Sequence, residues 1–128
     1  MRITAVLGLV LSVGVLADCA LLQGAVAGSC NGTQDVAGMS VPICTESDSQ
    51  SFSDDVTLSS ACRSGQLGAA ANDWRSGTRC SAAGRLGGCS KTVQNIPVTI
   101  WFYAGGHMAT TQAIEALCPM LMATYRAP

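Results

Sequence analysis

The sequence predicts a small α+β domain rich in disulfides, built as a tandem of two strand-strand-helix units behind a leader. Three observations carry this. An uncharged apolar run opens the chain, six cysteines follow it, and those cysteines sit in two stretches with a similar order of features. A length of 128 residues allows one domain of ordinary size. The formal net charge of -1 excludes a general nucleic-acid binder, which would be strongly basic. A single histidine is too few for a His-based metal site.

Residues 1–27 read as a signal peptide. Met1-Arg2 is a minimal positive start, Ile3 to Ala17 carries no charge, and Ala25-Val26-Ala27 is a small-x-small cleavage site. Asp18 interrupts the apolar run, whereas a membrane span needs about 20 apolar residues without such a break. Two other cuts compete with the one after Ala27. Ala27-Gly28-Ser29-Cys30 resembles a bacterial lipobox, which would make Cys30 a lipidation site. Leu16-Ala17-Asp18-Cys19 has the usual distance from the start but carries Asp18 where a small residue belongs. Cutting after Ala27 removes Cys19 and leaves six cysteines, an even number for disulfides. The expected product is residues 28–128, one domain with units at about 28–79 and 80–128, secreted or held in the cell envelope.

That product has 101 residues, of which only 24 are apolar side chains larger than Ala and other than Cys. Hydrophobic burial alone leaves such a domain marginal. Disulfides supply what is missing, at about 2–4 kcal/mol each, and they require an oxidising compartment. Cysteine spacings of 14, 18, 18, 9 and 29, with no Cys-x-x-Cys, fit no zinc ribbon or finger. No cofactor or metal is expected.

Each unit begins as a hairpin. Gly28-Ser29-Cys30 leads through turn formers at Gln34 to Gly38 into Val41-Pro42-Ile43-Cys44. Gly87-Gly88-Cys89 leads through Gln94-Asn95 into Val98-Thr99-Ile100-Trp101. The run from Val98 to Tyr103 is the strongest strand signal, with Val98, Ile100 and Phe102 on one side and Thr99, Trp101 and Tyr103 on the other. A polar stretch at 45–53 precedes the first helix, for which Ser53 is the expected N-cap, Asp54 and Asp55 suit the positive helix end, and Gly65 or Gly68 is the stop. The second helix starts near Thr110 or Thr111, buries Ile114, Leu117, Cys118 and Leu121, and is kinked or ended by Pro119. The two halves are offset by 59 at the first cysteine, 57 at Val-x-Ile and 56 at the helix cysteine, a drift attributed to differing turn lengths. If equivalent cysteines make equivalent bonds, the pairs are Cys30–Cys62 and Cys89–Cys118, with Cys44–Cys80 joining the first sheet edge to the connector. Cys44 then aligns with Trp101, so packing replaces a bond in the second unit.

Cys62 with Trp74, Cys80, Gly84-Arg85-Leu86-Gly87-Gly88-Cys89, Trp101-Phe102-Tyr103 and Cys118 occur in an order that resembles small cysteine-rich exported proteins and lipoproteins of myxobacteria-like bacteria. The resemblance spans about residues 30 to 126. Those proteins often carry Gly-Gly-Thr-Trp after the helix, and Asn72-Asp73-Trp74 is a partial counterpart here. The resemblance implies export and disulfides and carries no activity.

Candidate chemistry is sparse. His107 in Gly105-Gly106-His107-Met108 lies between a strand and a helix, where a catalytic group is often presented, yet no nucleophile motif accompanies it. Asp54-Asp55 with Glu46 and Asp48 offers oxygens for calcium, but the EF-hand spacing is absent and helix capping already explains the pair. Residues 28–62 carry a net charge of -5 and residues 63–128 carry +4. The basic connector, with Arg75, Arg79 and Arg85, is a candidate surface for lipid head groups, cell-surface polyanions or a protein partner. The plainer reading is attraction between two packed units. Trp101 and Tyr103 are either an exposed aromatic stripe or core. The expected role is non-enzymatic, an envelope or extracellular binding or structural module that meets the membrane only through a leader or lipid anchor. The alternatives are a lipoprotein anchored through Cys30, and a secreted effector, inhibitor or hydrolase using His107.

Overall fold

Gln94 and Asn95 fix the second hairpin. Both take positive φ, 50° and 66°, as the central residues of a two-residue turn whose twist matches that of the flanking strands. Val93 and Ile96 therefore pair directly, joining β4 (Arg85–Val93) to β5 (Ile96–Tyr103). In the first hairpin Val36 pairs with Met39, Gly38 takes φ 81°, and β1 (Gly28–Val36) lies antiparallel to β2 (Met39–Ser47). The structure is a computed structural model that describes residues 28–36, 38–69, 73–105 and 110–128. Residues 1–27, expected as the leader, with the candidate cut at Cys19, and His107 lie outside the described residues, whereas the candidate cuts before Gly28 and before Cys30 fall at the start of β1.

Each hairpin is followed by a helix and then a short third strand. α1 (Phe52–Arg63) leads to β3 (Arg75–Ser76), and α2 (Thr111–Met120) leads to β6 (Thr124–Arg126). Among the described residues, six strands form one antiparallel sheet in the order β3-β1-β2-β5-β4-β6. The order is two-fold symmetric about the β2–β5 pairing. Cys44 lies opposite Trp101 at its centre, flanked by Ile43 opposite Phe102 and Thr45 opposite Ile100. The repeating unit is thus strand, strand, helix, strand. β3 and β6 escape sequence reading because two or three residues carry no periodicity.

The drift in offset has a cause other than turn length, because both hairpins have two residues between their closing pairs. Cys30, Thr45, Ile100, Cys89 and Tyr125 occupy one transverse row across the sheet. The symmetry that equates β2 with β5 would place the counterpart of Cys30 at Gly87. Cys89 sits one pleat period further along. Its row faces the helices: Cys30 bonds Cys62 in α1, and Cys89 bonds Cys118 in α2. Strand alternation puts both helices on the same face. The third bond, Cys44–Cys80, lies on the opposite face.

Both helices have well-defined ends. Ser51, rather than Ser53, is the N-cap of α1. It is extended at φ -84° and ψ 128°, and its side chain accepts from the Asp54 N–H, while Ser53 already lies in the first turn. Gly65 closes this helix at φ 82°, with its N–H donating to the Cys62 carbonyl and that of Gln66 to the Ala61 carbonyl. Thr110 caps α2 by accepting from the Ala113 N–H, and Pro119 falls in the last turn, after which the helix ends. The main core joins Val41, Ile43, Ile100 and Phe102 of the sheet to Ile114, Leu117 and Cys118 of α2. Leu58 of α1 packs on Ile96 and Val98.

Thr45 lies in the middle of the cysteine row, fully buried, and its Oγ1 has no hydrogen-bond partner among the described residues. A buried hydroxyl without a partner is costly. Thr45→Val keeps the shape and removes that cost. It is expected to stabilise the oxidised protein by about 1 kcal/mol, read as a raised urea midpoint at unchanged slope.

Candidate functional site

The helix-free face of the sheet collects the charged and hydroxyl-bearing side chains. Strand register places Arg75, Ser29, Glu46, Thr99, Ser90 and Thr124 in one row across all six strands. The neighbouring row runs Cys44, Trp101, Gly88 and Arg126. Arg85 lies opposite Tyr103 on the same side. The 77–84 connector is drawn over part of this face by the Cys44–Cys80 bond and packs Cys80 on Trp101.

Beneath the connector, Glu46 is the hub of a polar network. Its Oε1 accepts from the Trp101 indole N–H at 2.7 Å, and its Oε2 accepts from the Cys80 backbone N–H at 2.9 Å. The Arg85 guanidinium stands 3.7 Å from Oε1, and its carbon lies 4.0 Å from the Trp101 ring centroid. Arg85 also donates to the Ser81 and Cys80 carbonyls, and the Tyr103 hydroxyl donates to the Ser81 carbonyl at 2.6 Å. The side chains of Glu46 and Arg85 are only 12% and 16% exposed, so this ion pair is weakly screened. Gly88 permits the stack, since a Cβ there would come within 2.6 Å of the Trp101 ring.

Trp101 is 6% exposed, covered by Arg85 and the connector. It is therefore part of the interior, and the exposed aromatic stripe is not formed; Tyr103 is half-buried with its hydroxyl engaged. Arg79 pairs with Asp48 across the surface, and that carboxylate holds the guanidinium pKa above its ordinary value. Arg85 of the second unit thus meets Glu46 of the first, as attraction between packed units requires, while Arg79 pairs with Asp48 within the first unit. Arg75 and Arg126 remain at the two ends of the face, one on each third strand, with no carboxylate partner among the described residues.

Beside the network opens a cleft of about 520 Å³, lined among others by Glu46, Asp48, Ser90, Pro97, Thr99 and Arg126. Thr99 Oγ1 lies 3.1 Å from the Ser90 hydroxyl and accepts from Arg126 Nη1 at 3.5 Å. Both Glu46 oxygens are already engaged by protein donors. Sequence reading placed Thr99 on this face. It named Glu46 only as an oxygen donor for calcium and did not single out Ser90 and Arg126 as site residues, although each is reached by following the alternation from Cys44, Cys89 and Tyr125.

The acidic residues of α1 are spoken for. Asp54 accepts from Ser49 Oγ, and Asp55 accepts from the Trp74 indole N–H at 2.6 Å and from Ser76. No group of three or more His, Cys, Asp or Glu side chains is placed to hold a metal ion among the described residues. Comparison with protein-family models, with characterised proteins and with solved structures gives no match. The reading of this site therefore rests on its own geometry.

The two ion pairs of this face differ in burial, and their removal should differ accordingly. Glu46→Ala strands Arg85 and two N–H donors, with an expected loss of about 3 kcal/mol. Arg79→Ala opens a solvated pair and is expected to cost less than about 0.5 kcal/mol. Urea unfolding of both variants checks the contrast.

Proposed function

We propose that the protein is an exported, disulfide-stabilised binding module without catalytic chemistry, and that the helix-free face meets an extracellular or envelope partner. The observation that carries this reading is the gathering of Arg75, Arg79, Arg85 and Arg126 around one sheet face, with two of them free of carboxylates among the described residues. Such a face attracts an anionic partner. Three disulfides in so small a domain fit an oxidising compartment. No helix among the described residues is long and apolar enough to cross a membrane. The likeness to small exported proteins of myxobacteria-like bacteria belongs to the same reading.

Chemistry favours the unlipidated product. A lipid thioether would occupy the Cys30 sulfur, which here is bonded to Cys62. The two states exclude each other.

Intact mass of the product from its native host is expected to correspond to a chain beginning at Gly28. It should lack an acyl group and be lighter than the reduced form by six hydrogens, two for each bond. An acylated cysteine at the N-terminus would overturn the unlipidated form. For the face itself, Arg75→Glu combined with Arg126→Glu is expected to weaken binding to isolated host envelopes about tenfold or more at low salt. Unchanged binding would remove the face from the reading.

A further inference from the structure

We propose that the cleft beside Glu46 is a binding site for an acidic saccharide, a sugar unit bearing one carboxylate. The inference rests on the binding-module reading and names the ligand chemistry of that face. Its warrant is the balance of charge within the cleft. Asp48 is neutralised by Arg79, and Glu46 is engaged by Trp101, Cys80 and Arg85. Lys91 and Arg126, also in the lining, are cations without a carboxylate partner among the described residues, and Arg126 is held at the rim by Thr99. Its guanidinium presents paired N–H donors that match a carboxylate.

The remaining lining decides against a plain anion. Ser90 and Thr99 supply hydroxyls that both donate and accept, and Pro97 supplies an exposed apolar surface for the C–H face of a ring. Glu46 and Asp48 keep spare lone pairs, which accept from ligand hydroxyls. A uronate, with a carboxylate for the cations, hydroxyls for the polar walls and a ring face for Pro97, satisfies every part of the lining, whereas inorganic phosphate offers nothing to Pro97. The cleft volume of about 520 Å³ suits a ligand of one or two sugar rings, held as a free sugar or as part of an acidic polysaccharide.

The test is an NMR titration of the exported, disulfide-bonded protein with glucuronate, a galacturonate trimer, glucose, acetate and inorganic phosphate in parallel. Glucuronate or the trimer is expected to shift the Ser90, Thr99 and Arg126 resonances, while glucose, acetate and phosphate shift them at least about tenfold less readily. Tighter binding of the trimer assigns the site to a polymer, and equal binding assigns it to a free sugar. Arg126→Gln should weaken the effect about tenfold, with Arg126→Lys intermediate. The proposal is overturned if neither uronate moves these resonances, if acetate or phosphate does so equally, or if Arg126→Gln binds as the parent does. Envelope binding measured on the same Arg126→Gln protein separates the two readings. Loss of envelope binding without any uronate response sinks the saccharide and keeps the face; loss of neither sinks both.

Discussion

The pairing of β2 with β5 is the constraint on which the rest of the structure depends. It joins two units, each of which has only one hairpin and one helix to offer, into a single sheet with a common core. An isolated two-stranded hairpin is marginal in water, and a helix of 10 or 12 residues is little better. Side by side, the two hairpins form a central four-stranded sheet whose one face serves both helices. The pair at the centre, Cys44 opposite Trp101, also determines what happens on the other face. The cysteine brings the connector across, and the indole lies under Arg85 and bonds Glu46.

Disulfides here act as core as well as cross-links. Five of the six bonded cysteines are essentially inaccessible, and they stand where a larger domain would place Leu or Ile. Each helix-side bond crosses from a strand to the helix of its own unit, so each unit is closed within itself as well as joined through the shared sheet. The third bond acts between layers. It secures a connector containing few large apolar residues, and this lets Glu46 and Arg85 leave bulk water as a pair.

Much of this was legible in the sequence. The Val98 to Tyr103 alternation, the Gln94-Asn95 turn and the Ile114-Leu117-Cys118 stripe each state a periodicity strong enough to survive tertiary context, and together they define the second unit. Repetition then made the weaker first unit readable, and the bonds have the pairing that equivalence of the two units requires. Less legible were the choice between Ser51 and Ser53, equally good caps in isolation, and features set by neighbours distant in sequence. The fate of Trp101 was hidden because its cover comes from Arg85 and a connector tethered 36 residues away from its anchor. The cleft was hidden for the same reason: its walls come from β2, β4, β5 and β6, and only the complete strand order brings them together.

Gly28 has a consequence for the order of events in the life of the chain. It is buried, paired with Ser47 on one side and Ser76 on the other, and covered by the Trp74 ring, with no room for even a methyl group. A peptidase that cuts next to Gly28 needs that residue extended in its own groove, and β3 with Trp74 takes Gly28 away from it. If the proposed leader ends at Ala27, its release would have to precede completion of the sheet, and maturation would become the gate for folding.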